Sequence, residues 1–360
     1  MIILGIWDGH DAGAAILEGK QIKIAVNEER LTRKKLDVGF PYESIKCCLN
    51  YLNLKPDDIE HVCICTSDVS KTLTRVFPSM KDKYYLLRRR KIYPSFAKWQ
   101  KNLKYRMTEI GSNYLSKRIS ELNIKNQLKK MGFKDFNLEI VDHHMAHAAT
   151  AAYCSGFKKS LTITIDGVGD GLSGSINIYS KGEIERISGI SSKDSLGIFY
   201  EHVTNLLGMR ELEDEGKVMA LSDFSYEIPD NKNPMIDFFK VNDLDINAKY
   251  SSTRMWTELN KIIWHTPPEQ FARMAQDTLE KNLLKLFSNA VKETSISNVC
   301  WTGGVASNIK ANMKIRNLPE IDRWFVFPHM GDGGLALGAA LVYNYIKNGV
   351  YDYDLSLIHI

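Results

Sequence analysis

MIILGIWDGHDAGAAILEGKQIKIAVN, residues 1–27, sets the architecture of this chain, because its layout returns in SLTITIDGVGDGLSGSINIYSKGEIERISG, residues 160–189. In the first stretch the runs Ile2–Trp7, Ala14–Leu17 and Gln21–Asn27 are separated by DGHDAG and EGK. Those residues reverse a chain tightly, so the pattern predicts a three-strand meander rather than a βαβ unit. In the second stretch Ser160–Asp166, Gly174–Tyr179 and Glu183–Gly189 are again short strands joined by Gly-rich turns. Helix and strand alternate after each meander. After the first come a helix at Tyr42–Leu52, with Ile45, Leu49 and Leu52 at helical spacing, a turn at Pro56–Asp58 and a strand at His61–Thr66. After the second come helix Phe271–Phe287, strand Asn298–Trp301, a helix starting within Gly304–Asn312, strand Arg323–Phe327 and a small-residue helix Gly334–Ile346.

A meander used twice, each time followed by alternating helix and strand, argues for two related α/β lobes rather than two unrelated domains. This is the duplicated layout of the actin, hexokinase and Hsp70 (ASKHA) superfamily. The division expected is residues 1–150 for the first lobe and 151–360 for the second, with a basic helical insertion at about 71–134. The insertion carries Arg88-Arg89-Arg90-Lys91 and many lysines against only Asp82, Glu109 and Glu121, interleaved with Tyr84, Tyr85, Tyr93, Phe96, Trp99 and Tyr105. It reads as a solvated face whose aromatics pack on the lobe; the rival reading is a surface for phosphate-rich partners.

Composition narrows the class. With 360 residues, 44% of them hydrophobic and 25% charged, the chain can bury a sizeable core and is not globally disordered. A net charge of +4 does not by itself imply a nucleic-acid partner, and no apolar run is long enough to span a membrane. The start lacks a basic leader and a small-residue cleavage site, and reads as a core strand. Cys47, Cys48, Cys63, Cys65, Cys154 and Cys300 form no CxxC pair and sit mostly in apolar runs. Buried thiols in a reducing, cytoplasmic setting are expected.

Several polar motifs can carry chemistry. In Asp8-Gly9-His10-Asp11-Ala12-Gly13, Gly9 and Gly13 allow close backbone approach to an anion. His10, between two carboxylates, is a candidate general base toward a hydroxyl. The matching turn, with Asp166, Gly167, Gly169 and Asp170, would face it across a cleft and hold nucleotide phosphates between them. In Asp142-His143-His144-Met145-Ala146-His147, a helix would place His143 and His147 on one face, as it would His144 and His147 at a spacing of three. Spacing leaves that choice open, and a carboxylate would have to complete a metal site. Gly303-Gly304 stands between a strand and a helix, and Asp332 precedes the last helix, where it could cap it or supply that carboxylate. The cationic run ending in Lys35 suits phosphate, and Glu215 and Lys217 follow a helix within reach of the cleft. On spacing alone these last two stretches are charged surface segments.

Taken together and in order, GIWDGHDAGAAIL, NEERLTRKK followed by FP, DHHMAHAATAAY, ITIDGVGDG, DEGKVMALS, WTGGVASNIKAN and PHMGDGGLALGAA resemble the NodU/CmcH-type O-carbamoyltransferases over about residues 4 to 341. The resemblance implies a fold akin to the tRNA threonylcarbamoyl-transfer enzyme and carbamoyl transfer from carbamoyladenylate to a hydroxyl of a sugar-like or natural-product acceptor. It implies a divalent metal on His143, His147 and Asp332, usually iron, although zinc and manganese suit the same ligands. It puts His10 and Asp11 at the acceptor hydroxyl, Lys35 at the activated donor, and Gly303, Gly304 and Asn308 at the nucleotide. Leu36 stands where the family commonly has histidine. The family also carries a C-terminal domain that makes carbamoyladenylate from carbamoyl phosphate and ATP, so an adenylate-forming domain or partner in trans is expected, along with a homodimer. Two rivals remain: an RNA-modifying transferase or sugar kinase on the same fold, and a non-catalytic nucleotide-binding subunit.

Overall fold

The computed structural model describes residues 1–90, 107 and 109–355. Lys91, Tyr93, Phe96, Trp99 and Tyr105 of the insertion lie outside the described residues.

The first meander is β1 (Ile2–Trp7), β2 (Gly13–Glu18) and β3 (Gln21–Asn27), paired antiparallel, with Trp7 opposite Gly13. β4 (His61–Cys65) lies parallel beside β1, and β5 (Asn137–Val141) parallel beside β4. The sheet order is β3-β2-β1-β4-β5. In the second lobe β6 (Lys159–Gly169), β7 (Leu172–Ser180) and β8 (Glu183–Ser191) repeat the meander. β11 (Asn298–Thr302) and β12 (Arg323–Val326) then add parallel strands, and the order is β12-β11-β6-β7-β8. Each lobe therefore places its first strand between a hairpin partner and a parallel newcomer. This is the duplicated, two-lobed ASKHA arrangement expected from the sequence. A short ribbon, β9 (Phe239–Asn242) with β10 (Asp245–Ala248), is attached to the second lobe.

The layers stack as helices, sheet, helices, sheet, helices. Leu4, Ile6 and Ile16 point outward to α2 (Tyr42–Tyr51) and to α5 (Tyr114–Lys130), where Ile45, Leu49, Ile124 and Leu128 meet them. The alternate residues Ile3 and Trp7 face the middle layer, as the two-residue period of a strand requires. On the far side Leu161, Ile163 and Ile165 join a core with α7 (Leu196–Leu206), α9 (Ser252–Ile263) and α10 (Pro268–Thr294). α10 runs beyond the expected Phe271–Phe287, ending where Ser295 turns left-handed at φ 53.

The middle layer is α6 (His143–Cys154) and α12 (Leu335–Asn348). Both are rich in alanine and small residues, which favours helix and permits close approach. A side chain at Gly338 would lie 2.3 Å from the Ala146 carbonyl, and one at Gly5 would lie 1.9 Å from that of Ala336. α12 thus rests on β1 and β4 of the first sheet, while α6 rests on β6 and β11 of the second. The expected division at residues 150–151 falls inside α6, and the two helices pack against each other between the sheets.

The five cysteines Cys48, Cys63, Cys65, Cys154 and Cys300 are buried free thiols, and Cys47 is half-buried. Among the described residues no helix is long and apolar enough to cross a membrane.

The start of the insertion differs from a solvated face. α3 (Val69–Val76) and α4 (Pro78–Arg88) bury Lys71, Arg75, Arg88 and Arg89. Arg88 pairs with Glu211 at 2.9 Å and also with Glu201, Arg89 pairs with Glu213, and Arg90 donates to the Asn205 carbonyl. Arg88 and Arg89 are held inside because carboxylates of the second lobe, more than a hundred residues away, meet them there, while Lys71 and Arg75 meet Asp8 of the first lobe.

Candidate functional site

The Asp142 carboxylate caps α6 by accepting from the Met145 N–H at 2.8 Å, which starts the helix at His143 and sets its phase. That phase sends His143 and His147 toward Asp166, on β6, and Asp332, in the turn before α12. One ligand atom from each of the four lies within 4.8 Å of the others. His143 Nε2 is 3.2 Å from Asp166 Oδ2 and 3.8 Å from Asp332 Oδ1. His147 Nε2 is 3.5 Å from Asp332 Oδ1 and 3.8 Å from Asp166 Oδ2. The two imidazoles are 2% and 1% exposed, and His147 Nε2 has no hydrogen-bond partner. His144 turns the other way, with Nδ1 2.8 Å from Thr164 Oγ1 and Nε2 3.2 Å from the Leu172 carbonyl. Of the two pairs the spacing allowed, the fold brings His143 and His147 together. Asp166, expected on the phosphate side, joins them.

The charges fit a site made for a cation. Burial disfavours a charged His143, yet its hydrogen bond to Asp166 and the nearby carboxylates of Asp332 and Asp170 outweigh that and raise its pKa to about 9. Burial alone would raise Asp166, but the two imidazoles hold it well below the usual carboxylate range. Burial, then His143 and His147, push His144 down to about 3, so it stays neutral. Two imidazoles and two carboxylates, nearly dry, with one ring nitrogen lacking a partner, suit a divalent first-row metal.

The first hairpin turn approaches this cluster. His10 Nδ1 lies 3.5 Å from Asp332 Oδ2 and 3.5 Å from the Tyr85 hydroxyl. Burial lowers the His10 pKa, against the pull of Asp332. Asp11, at φ 56, has Oδ2 3.3 Å from His329 Nε2. Asp8 is placed differently from expectation: it is buried under Arg75 and Lys71, each at 2.8 Å, and braces the turn instead of facing a ligand. Gly9 avoids the Trp7 indole, which a side chain would meet at 2.0 Å. Gly13 belongs to the strand, close to the Val26 carbonyl.

The turn expected at Asp166–Gly171 is shorter, since β6 runs on to Gly169 and only Asp170 and Gly171 turn. Gly167 and Gly169, on the strand, border the cavity, and Gly169 seats the His143 ring, 2.2 Å from where its Cβ would be. Asp170 is an anchor: it accepts from the His143 N–H at 3.0 Å and the Ser67 N–H at 3.1 Å. Gly303, at φ 98, passes over the Ile165 carbonyl, and the Gly304 N–H donates to Asp166 Oδ1 at 2.8 Å. The helix expected to start within Gly304–Asn312 is α11 (Ile309–Arg316), which Asn308 caps while exchanging amide hydrogen bonds with Gln276.

One cavity of about 410 Å³ takes in this geometry. His10, Asp11, His143, Asp166, Asp332 and His329 border it, as do Lys71, Tyr84, Tyr85 and Arg88, and across from the first lobe Glu201, Glu215, Gly304 and Asn308. Burial, then Glu201, raises Glu215 to about 7. Of the expected residues, Asp8, Gly9, Gly13, His147, Asp170 and Gly303 lie behind its wall, and two lysines stay off it altogether. Lys35 is exposed, with its carbonyl bound by Arg89 Nη2 at 2.7 Å, and Leu36 reaches the cavity in its stead. Lys217 is exposed and pairs with Asp214 at 2.7 Å. Thr66, Lys71, Arg88, Glu201 and His329 escaped the sequence reading. Arg88 had a signal in its run of arginines, and His329 in its place within the PHMGDGG motif.

The chain is 34% identical to an uncharacterized protein of Methanocaldococcus jannaschii over 353 residues, covering 94% of this chain and 57% of that one. It is 28% identical to the nodulation protein NolNO of Sinorhizobium fredii, covering 92% of this chain and 46% of that protein. It spans about half the length of these curated relatives. Among solved structures, the activator of the 2-hydroxyisocaproyl-CoA dehydratase from Clostridium difficile, with bound ADPNP, superimposes with a TM-score of 0.50 at 14% identity, covering 97% of each chain. That likeness is one of fold. The family model of the carbamoyltransferase N-terminus matches residues 2–341, and the chain belongs to that family.

Proposed function

We propose that this chain is the transfer domain of an O-carbamoyltransferase, moving a carbamoyl group from carbamoyladenylate to the hydroxyl of a sugar-like or natural-product acceptor. The observation that carries the reading is the meeting of His10 with the His143–His147–Asp166–Asp332 group, at a cavity bordered by His10, His143, Asp166 and Asp332, within a chain of the carbamoyltransferase N-terminal family. A divalent cation, iron by family resemblance, would be held by those four residues and would supply Lewis acidity at the donor's oxygens. The Asp166–Gly169 end of β6 and the Gly304 segment border the donor's side of the cavity, and Lys71 replaces Lys35 as the lysine on its wall.

His10 presents Nδ1 to Asp332 and Tyr85, which leaves Nε2 for the acceptor. Burial favours the neutral ring, as a general base requires. As the acceptor oxygen bonds to the carbamoyl carbon, its proton passes to His10 Nε2. The bond from that carbon to the phosphate oxygen breaks, and AMP leaves with the electron pair. Asp11 and His329, 3.3 Å apart, flank the entry. An adenylate-forming domain or partner would deliver the donor. The RNA-modifying alternative relied on the basic insertion, but Arg88, Arg89 and Arg90 are engaged by the second lobe.

The test supplies synthetic carbamoyladenylate, metal and a panel of hydroxyl acceptors, and follows AMP and carbamate. AMP release that depends on acceptor is expected, with His10→Ala slowing it by about 10²–10⁴-fold while donor binding persists. Saturable donor binding without turnover would instead identify a non-catalytic nucleotide-binding subunit.

A further inference from the structure

We infer that Thr66 is a positioning residue for the metal site: a strained backbone holds its hydroxyl where it fixes the His143 ring. The inference rests on the metal reading of the four-residue cluster.

β4 ends at Cys65, and Thr66 follows at φ 70, in the left-handed region. A β-branched residue is rarely found there, because its Cβ substituents crowd the backbone. Thr66 is 3% exposed, so no solvent-facing turn explains the conformation. The surroundings over-determine it. Its N–H donates to the Val141 carbonyl at 3.0 Å, and its carbonyl accepts from Arg75 Nη1 at 2.6 Å. The next N–H, of Ser67, donates to Asp170 Oδ1 at 3.1 Å. Strain held in this way collects at functional sites.

What the conformation achieves is a contact of 3.1 Å between Thr66 Oγ1 and His143 Nδ1. The other ring nitrogen, Nε2, faces Asp166 and Asp332. An imidazole that gives its Nε2 lone pair to a cation carries its proton on Nδ1, and that N–H needs an acceptor in a dry site. Thr66 Oγ1 is that acceptor. Gly169 bounds one face of the ring, so packing limits its tilt and the hydroxyl sets its rotation and tautomer. Hydrogen-bond partners of this kind are worth about 10–100-fold in metal affinity.

The experiment uses the full chain, stripped with chelator and titrated calorimetrically with Co²⁺, alongside Thr66→Val, Thr66→Ser and Thr66→Gly. Wild type should bind about one equivalent. Thr66→Val, which keeps the shape and removes the acceptor, should bind about 10–100-fold more weakly, while Thr66→Ser stays near wild type. Thr66→Gly relieves the left-handed strain, so its stripped form should unfold at or above the wild-type midpoint yet share the affinity loss. Should Thr66→Val fail to fold, the serine and glycine variants carry the comparison. Wild-type affinity in Thr66→Gly or Thr66→Val, or a serine variant as weak as valine, overturns the inference alone. A wild-type chain that takes up no Co²⁺ overturns it together with the metal reading.

Discussion

Replacing Arg75 with methionine should destabilise the fold by about 3–5 kcal/mol, the usual cost of removing one partner of a buried ion pair. The structure shows why the upper part of that range applies. The guanidinium side chain is 2% exposed and that of Asp8 4%. Arg75 grips Asp8 with two hydrogen bonds, at 2.8 and 3.0 Å. It also donates to the carbonyls of Thr66 and Cys65 and to Ser120 Oγ, at 2.6, 2.9 and 3.0 Å. Methionine fills much of the volume but leaves two carbonyls unpaired, each worth about 1–3 kcal/mol when buried. Asp8 keeps only Lys71, at 2.8 Å, among these cations. Arg75→Lys restores a charge without the planar fork and should recover only part of the loss. The assay is urea unfolding followed by circular dichroism, for wild type, Arg75→Met, Asp8→Asn and the double variant. Since Asp8 and Arg75 share one network, the double should cost less than the sum of the singles, by about 0.5–3 kcal/mol. A loss under about 1 kcal/mol for Arg75→Met, or strict additivity, would refute the claim that this pair braces the first hairpin.

Two further outcomes are expected. Protein purified without chelator should carry about one divalent ion per chain by elemental analysis, because four ligand atoms lie within 4.8 Å; unchanged content in His143→Ala/His147→Ala would refute the assignment. Glu215 has its pKa raised from 4.5 to about 7 by burial and by Glu201, with Arg88 opposing. A carboxyl raised in the folded state stabilises the fold in its protonated form, so its contribution is complete below about 4.5 and is lost as pH rises through about 7. Glu215→Gln should therefore gain stability relative to wild type across that window and level off above it. A difference independent of pH would show that Glu215 titrates normally.

Much of the scaffold was legible in the chain because it is written in short-range patterns. Two-residue alternation in Ile2–Trp7 and in the run from Ser160, broken by Asp-Gly turns, identifies the meanders and their duplication. The His143–His147 spacing and the small residues after Asp332 mark the two helices that meet at the cleft. Which histidines pair was not legible in their spacing and came only from the family resemblance, since it depends on the Asp142 cap and on where β6 places Asp166. The roles of Asp8 and Asp170 were likewise misjudged: each is spent on partners distant in the chain, Arg75 for one and Ser67 for the other. Arg88 and Arg89 of the insertion looked solvated because their partners, Glu201, Glu211 and Glu213, come from the other lobe. Thr66 carried no signal at all, its left-handed backbone being set by Arg75, Val141 and Asp170 from three separate segments. Local periodicity and turn chemistry specify which elements form. Burial, charge pairing and strain arise only when elements remote in the chain are packed together, and those effects place the side chains that surround the cavity.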